Sequence, residues 1–144
     1  MFHGSVDIAN GLAVWLFTPG QNTDLDWAAY CNAMGEVTRV LKGHPAPFVF
    51  QVIDPLSSDP TAKHRREIAE VSMVVPSGSS IAIVSRSRIV RGVITAVSWI
   101  RPHAYTLHVV STERDAFVLA DVDSPGRGAH ARRLLERLRH AKDP

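Results

Sequence analysis

Apolar residues recur along this chain in short runs and in helical periods, which together predict strands alternating with helices. The first two runs are separated by Asn10-Gly11, a dipeptide typical of a two-residue type I′ hairpin turn. The later runs are short and continuously apolar, which is typical of strands buried on both faces. The five predicted strands span residues 5–9, 12–17, 47–53, 80–84 and 105–110.

Helix signals fill the segments between these runs and follow the last one. Thr23 is a candidate N-cap for an amphipathic helix that ends before Gly43. Asp59-Pro60 combines a cap with a first-turn proline and predicts the start of a second helix. Thr112 with Asp115 resembles a capping box. The predicted helices span residues 23–42, 59–74, 88–101, 112–120 and 128–141.

This order predicts an α/β fold, in which an N-terminal β-hairpin precedes alternating helices and strands in a mixed sheet of about five strands. Helical crossovers make most of the strands parallel, and the hairpin adds an antiparallel edge. We expect one α/β domain over residues 1–123, with a basic C-terminal helix in 124–144 docked on it.

Length and composition are those of one globular domain: 144 residues, of which 45% are hydrophobic and 21% charged. No apolar run approaches the roughly 18 residues of a membrane span, and the first residues lack the pattern of a signal peptide. Cys31 is the only cysteine, which excludes an internal disulfide and fits a reducing compartment. We therefore expect a cytoplasmic protein.

The charge is distributed unevenly along the chain. Residues 1–84 carry five Lys or Arg and eight Asp or Glu, a net charge of −3, whereas residues 85–144 carry eleven and six, a net charge of +5. The whole-chain value of +2 is far below that of a typical nucleic-acid-binding domain. No nucleic-acid partner is predicted.

Motifs for catalysis, cofactors and metals are absent from the sequence. The seven histidines form no close pair with cysteine or with each other, so no metal site is predicted. His64 and Glu67 fit a solvated helix face, and Cys31 falls on an apolar helix face, where packing is its simplest role. There is no phosphate loop, nucleophile elbow or dinucleotide fingerprint. We predict a protein without enzymatic activity and without a cofactor.

The predicted helix 88–101 carries more apolar residues than one face can hold. Three explanations remain open: it lies wedged between other helices, it forms a self-association surface, or it borders a ligand pocket. We predict a two-fold dimer through this helix, with Trp99 as an anchor and arginines at its border. The predicted binding or interface residues are Arg88, Arg91, Val93, Ile94, Trp99 and Ile100.

The last predicted helix is basic, and its apolar residues are all aliphatic. Docking on the domain with a solvated basic face is the favoured interpretation. Contact of residues 128–142 with an anionic membrane surface is the alternative. The basic residues are Arg127, Arg132, Arg133, Arg137, Arg139 and Lys142.

The order of elements over residues 5–120 resembles the STAS fold, in its SpoIIAA-like branch. The similarity lies mainly in His64 to Glu70 (His-Arg-Arg-Glu-Ile-Ala-Glu) and in 81–99, and it ends with 112–119. The resemblance implies a regulatory protein that binds protein partners and is not an enzyme; some members of the family bind nucleotides or lipids.

In the anti-sigma-factor antagonists of that family, a serine at the start of the second helix is phosphorylated. The matching positions are Ser57 and Ser58, although the family's Asp-Ser-(Ser/Thr)-Gly form is absent here. The predicted function is therefore STAS-like regulation through protein contacts. The alternative is binding of a small ligand or lipid in an apolar space beside helix 88–101.

Overall fold

The computed structural model describes residues 1–100 and 105–141, and within these ranges the chain forms five strands and five helices. The strands are β1 (Phe2–Asp7), β2 (Leu12–Phe17), β3 (Phe48–Ile53), β4 (Ser80–Val84) and β5 (Thr106–Val110). The helices are α1 (Asp24–Leu41), α2 (Ala62–Ser72), α3 (Arg88–Ile100), α4 (Glu113–Asp123) and α5 (Arg127–His140). Arg101 and Lys142, which the sequence assigned to helices, lie outside the described residues.

The strands form one sheet in the order β1-β2-β3-β4-β5. β1 pairs with β2 antiparallel, and the three remaining pairings are parallel. This arrangement confirms the predicted α/β class, with an N-terminal hairpin at the edge of a mixed five-stranded sheet. Each helical connection from β2 to β5 moves one strand in the same direction, so right-handed crossovers place α1, α2 and α3 on one face.

The side chains of the sheet divide between two apolar clusters, one on each face. Trp15, Val49 and Ile81 belong to the cluster that packs against α1, with α2 and α3 beside it. Val14 and Phe50 belong to the opposite cluster, which packs against α4 and α5. Because helices cover both faces, every residue of β2 is buried, as its continuously apolar sequence predicts.

On the α4–α5 face the helices lie close to the sheet because their contact positions carry small side chains. Ala116, Ala120 and Ala131 are fully buried there. Arg127 at the start of α5 is also buried, with 1% of its surface exposed. Its guanidinium donates to the carbonyl oxygen of Ala46, and it lies over the ring of Phe48. Placing Arg127 among the surface charges of the basic helix was therefore wrong.

The first hairpin differs from its prediction in both strand and turn. β1 runs from Phe2 to Asp7, and Asp7 pairs with Leu12, so residues 8–11 form the loop. No described residue other than glycine has a positive φ, so a type I′ turn at Asn10 is excluded. The carboxylate of Asp7 accepts hydrogen bonds from both the backbone and the side chain of Asn10, which stabilises the longer loop.

The starts of α1 and α4 agree with the prediction. Thr23 caps α1 in a capping box with Asp26, and Thr112 caps α4. α2 begins later than expected because Thr61, and not Asp59, accepts the first free backbone N–H, from His64 at 3.3 Å. Within the described residues, no helix combines the length and apolarity that a membrane crossing requires.

Candidate functional site

The two faces of the sheet are covered at different distances. The backbone of α2 stands farther from the strands than those of α4 and α5 do on the other face. A cavity of about 790 Å³ lies in the resulting space, between α1, α2, α3 and the sheet. Small-molecule sites in proteins have volumes of roughly 300–1,000 Å³, so this space is large enough for a ligand.

Apolar side chains make up most of the cavity wall. Strands β2 to β5 supply the floor, α1 closes one side, and α2 and α3 form the roof. The apolar residues that line it include Phe17, Ile53, Ile81, Ile83 and Leu107 from the sheet, Trp27 and Met34 from α1, Ile68 from α2, and Ile89, Val90 and Ile94 from α3. An apolar molecule that leaves water for this wall gains about 25 cal/mol for each Å² it buries.

Four polar side chains lie within this apolar wall: Gln51, Tyr30, Tyr105 and Ser72. The hydroxyl of Tyr30 donates to Oε1 of Gln51 at 2.9 Å. Burial raises the pKa of Tyr30 far above its ordinary range, against the opposing effect of that hydrogen bond. Burial also raises the pKa of Tyr105, against a hydrogen bond with Ser72. Both phenols therefore stay protonated, and the inner polar groups are neutral.

Polar and charged residues lie at the carboxyl ends of the parallel strands, where ligand sites in open α/β sheets commonly lie. The loop after β3 contributes Ser57, Ser58 and Asp59 to the cavity lining, and α2 contributes Arg65 and Arg66. Both arginines are exposed, and Arg65 donates to the carbonyl oxygen of Pro60 at 2.9 Å. This edge is the polar mouth of an otherwise apolar cavity.

The predicted phosphorylation positions, Ser57 and Ser58, belong to this mouth and are half-buried. The side chain of Asn22 donates to Oγ of Ser57 at 2.8 Å, and its backbone N–H donates to Oγ of Ser58 at 2.8 Å. Neither serine caps α2, which begins after Thr61. The two hydroxyls instead join the loop after β3 to the loop that precedes α1.

A buried histidine connects α2 to α1 beside the cavity. His64 is 7% exposed and stacks on Trp27 with ring centroids 5.3 Å apart. Its Nε2 lies 2.7 Å from Oδ1 of Asp24, and its Nδ1 lies 2.9 Å from Oγ1 of Thr61. The hydrogen bond from His64, together with nearby Lys63, lowers the pKa of Asp24. The prediction that His64 lies on a solvated helix face was therefore wrong. His64 instead packs between α2 and α1, beside one wall of the cavity.

The predicted interface residues of α3 lie in different environments. Ile94 lines the cavity, whereas Arg88 is exposed. Arg91 is also exposed and donates to Oγ of Ser111 after β5. The side chains of Val93, Trp99 and Ile100 lie outside the described residues.

Chemistry beyond binding has few candidates in the described ranges. No group of three or more His, Cys, Asp or Glu there has metal-binding geometry. Burial raises the pKa of the Cys31 thiol, and nearby Glu67 adds to the effect, so the thiolate nucleophile is disfavoured.

Three basic side chains of α5 have partners on or near the surface of the domain. Arg139 pairs with Glu113 at 2.7 Å, and Arg132 lies over the ring of Phe117. Arg133 bonds to the ring of His130, while Arg137 is exposed. Ala131 and Leu135 bury the opposite side of the helix against the sheet.

Sequence reasoning missed Gln51 and Tyr30 as functional candidates. The available signal was Gln51 itself, the one polar residue in the run Phe-Val-Phe-Gln-Val-Ile. Tyr30 carried no such signal because it occupies an ordinary position on the apolar face of α1.

No family model matches the chain, and no curated protein or solved structure is significantly similar to it.

Proposed function

We propose that this protein binds a small, largely apolar molecule in the cavity beneath α2 and α3 and does not transform it. The observation that carries this proposal is the cavity itself, about 790 Å³ lined mainly by apolar side chains. Binding of a small ligand or lipid in an apolar space beside helix 88–101 was the second of the two functions that the sequence suggested.

The energetics of the cavity support an occupant. Apolar side chains that line an open space lose the van der Waals contacts that a close-packed interior would give them. Water inside needs two to four polar partners, and this wall offers few. An apolar ligand replaces the missing contacts without such partners.

The groups inside the cavity support binding without catalysis. The inner polar side chains are an amide, a serine hydroxyl and two protonated phenols, and the charged residues of the lining lie at the mouth. General acid–base catalysis needs a group whose pKa lies near the working pH. No cofactor or metal enters the proposal.

The direct test is binding of the fluorescent apolar probe N-phenyl-1-naphthylamine, with native mass spectrometry of the purified protein as a search for a natural occupant. Ala69 of α2 lines the cavity, so Ala69→Trp fills it and should weaken probe binding at least tenfold. Glu70→Trp places the same side chain on the exposed side of α2 and is the matched control. Absence of probe binding to the unmodified protein, or equal binding by Ala69→Trp, would refute the proposal.

A second candidate function is STAS-like regulation through protein contacts, with a homodimer formed along α3. Two apolar side chains at this end of the sheet favour it: Ile89 is 62% exposed and Leu56 is 76% exposed. Light scattering at micromolar concentration should then give a dimer mass, and Ile89→Asp should give the monomer. A monomer mass for the unmodified protein would overturn this candidate and leave the ligand proposal intact.

Phosphorylation of Ser57 or Ser58 belongs to this second candidate. A phosphate on either oxygen would displace a hydrogen bond from Asn22 and bring negative charge beside Asp59. Phosphoproteomic mapping of the protein from its native cells tests the assignment, and an unmodified 54–60 peptide under every growth condition would count against it.

A further inference from the structure

Gln51 is a polar residue at the centre of an apolar sheet face. It lies in β3, opposite Trp15 of β2 and Ile83 of β4, and its side chain is on the same face as theirs. Only 4% of the residue is exposed. Burying an amide in such surroundings is unfavourable unless its hydrogen-bonding groups are satisfied.

Half of that requirement is met inside the protein. Oε1 of Gln51 accepts a hydrogen bond from the Tyr30 hydroxyl, which fixes the orientation of the amide. The amide nitrogen, Nε2, has no hydrogen-bond partner in the described part of the chain. This nitrogen is not sealed from solvent. Because Gln51 lines the cavity, its NH₂ group is presented to the cavity interior.

Resting on the proposed function above, we propose that the Gln51 amide anchors the ligand by donating a hydrogen bond to an uncharged oxygen, such as a ketone, ester or alcohol oxygen. The ligand is then an otherwise apolar molecule with one neutral acceptor group at its inner end. Tyr30 is a positioning residue, since it holds Oε1 and thereby turns the NH₂ group inward.

The charges of the described residues argue against an anionic group at this position. Arg65 and Arg66 line the cavity only at the exposed mouth, and no described basic side chain lines its inner part. A carboxylate or phosphate at Gln51 would therefore be buried without a compensating cation, which costs far more than one hydrogen bond returns. An acidic ligand group would lie at the mouth, with the neutral oxygen still at Gln51.

The test compares two ligands of nearly identical shape, 2-acetylnaphthalene and 2-isopropylnaphthalene, as competitors of N-phenyl-1-naphthylamine. The ratio of their inhibition constants measures the preference for the carbonyl oxygen. In the double variant Tyr30→Phe/Gln51→Leu this preference should fall by about two- to tenfold, which is the effect on affinity of losing one hydrogen bond. The double substitution removes both partners of the buried hydrogen bond, so neither remains unsatisfied and folding is retained.

Gln21→Leu makes the same substitution at an exposed position outside the cavity and should leave the preference unchanged. An equal preference in the unmodified protein and the double variant, with the probe still bound, overturns the anchor and leaves the cavity function standing. Failure of the probe to bind the unmodified protein overturns both.

Discussion

Gly128 of α5 lies in close contact with α4. A Cβ atom at this position would come within 2.6 Å of the carbonyl oxygen of Phe117, and backbone atoms cannot yield as a flexible side chain can. Gly128→Ala should therefore reduce the free energy of unfolding by about 1–3 kcal/mol, measured by urea denaturation. Gly35 in α1 has open space around it, so Gly35→Ala should raise stability by about 0.5–1 kcal/mol. Equal effects of the two substitutions would contradict the close approach of the helices.

Asp26 links the start of β1 to the start of α1. Burial raises the pKa of its carboxyl, but hydrogen bonds from Thr23 and from the backbone N–H of Phe2 outweigh that effect and hold the pKa below its ordinary value of 3.8. A group with a lowered folded pKa stabilises the protein above its unfolded pKa and loses this effect as the pH falls through the folded value.

Asp26→Asn should therefore be less stable than the unmodified protein at pH 7, by about 1 kcal/mol as for the loss of a helix cap. The difference in free energy of unfolding between the two proteins, measured by urea denaturation, should become smaller as the pH falls from 4 to 2. Glu36→Gln, at an exposed position of α1, is the control. A gap of constant size over this pH range would show that the ionised Asp26 carboxylate is not what stabilises the junction.

At the scale of elements, hydrophobic pattern and cap chemistry predicted most of the fold. The bounds of β4 agree with its apolar run because four buried apolar residues stand between Ser80 and Ser85. The start of α2 was misplaced because Asp59-Pro60 and Thr61 are both acceptable caps, and the contact of His64 with Asp24 is tertiary information. The apolar excess of helix 88–101 left a ligand pocket as one of three explanations, but the size and outline of the cavity could not be predicted, since the distance of α2 from the sheet leaves no mark on its periodicity.

Asn22 connects the two loops that border the mouth of the cavity. It is 5% exposed, and its side-chain nitrogen donates both to Oγ of Ser57 and to the carbonyl oxygen of Ser58. Asn22→Ala leaves these acceptors unsatisfied and should lower the free energy of unfolding by about 2–3 kcal/mol. Limited proteolysis should also show earlier cleavage within residues 54–60, because the loop loses its connection.

Asn32→Ala, at an exposed position of α1, is the control for that substitution. A loss below about 0.5 kcal/mol for Asn22→Ala, the range of ordinary surface substitutions, would show that other contacts hold the loop.

At the scale of the whole molecule, the helices on the two faces of the sheet are packed differently. α4 and α5 pack closely through alanine and glycine, and the buried Arg127 joins α5 to the segment before β3. α2 stands over the cavity, and Ile89, Val90 and Ile94 of α3 contribute side chains to the cavity lining. Regions with fewer packed contacts unfold locally at lower free energy. We therefore expect α2 and α3, over the cavity, to be more dynamic than α4 and α5.

A ligand in the cavity should therefore stabilise α2 and α3 more than α4 and α5. With free N-phenyl-1-naphthylamine at ten times its dissociation constant, linkage adds about 1.4 kcal/mol, which should raise the melting temperature by roughly 3–5 °C. Hydrogen exchange should slow in α2 and α3, which roof the cavity, and change little in α4 and α5 on the opposite face. Ala69→Trp should lose the temperature shift, because its indole occupies the site. Slower exchange confined to α4 and α5 would place the probe on the wrong face of the sheet and contradict this division of the molecule.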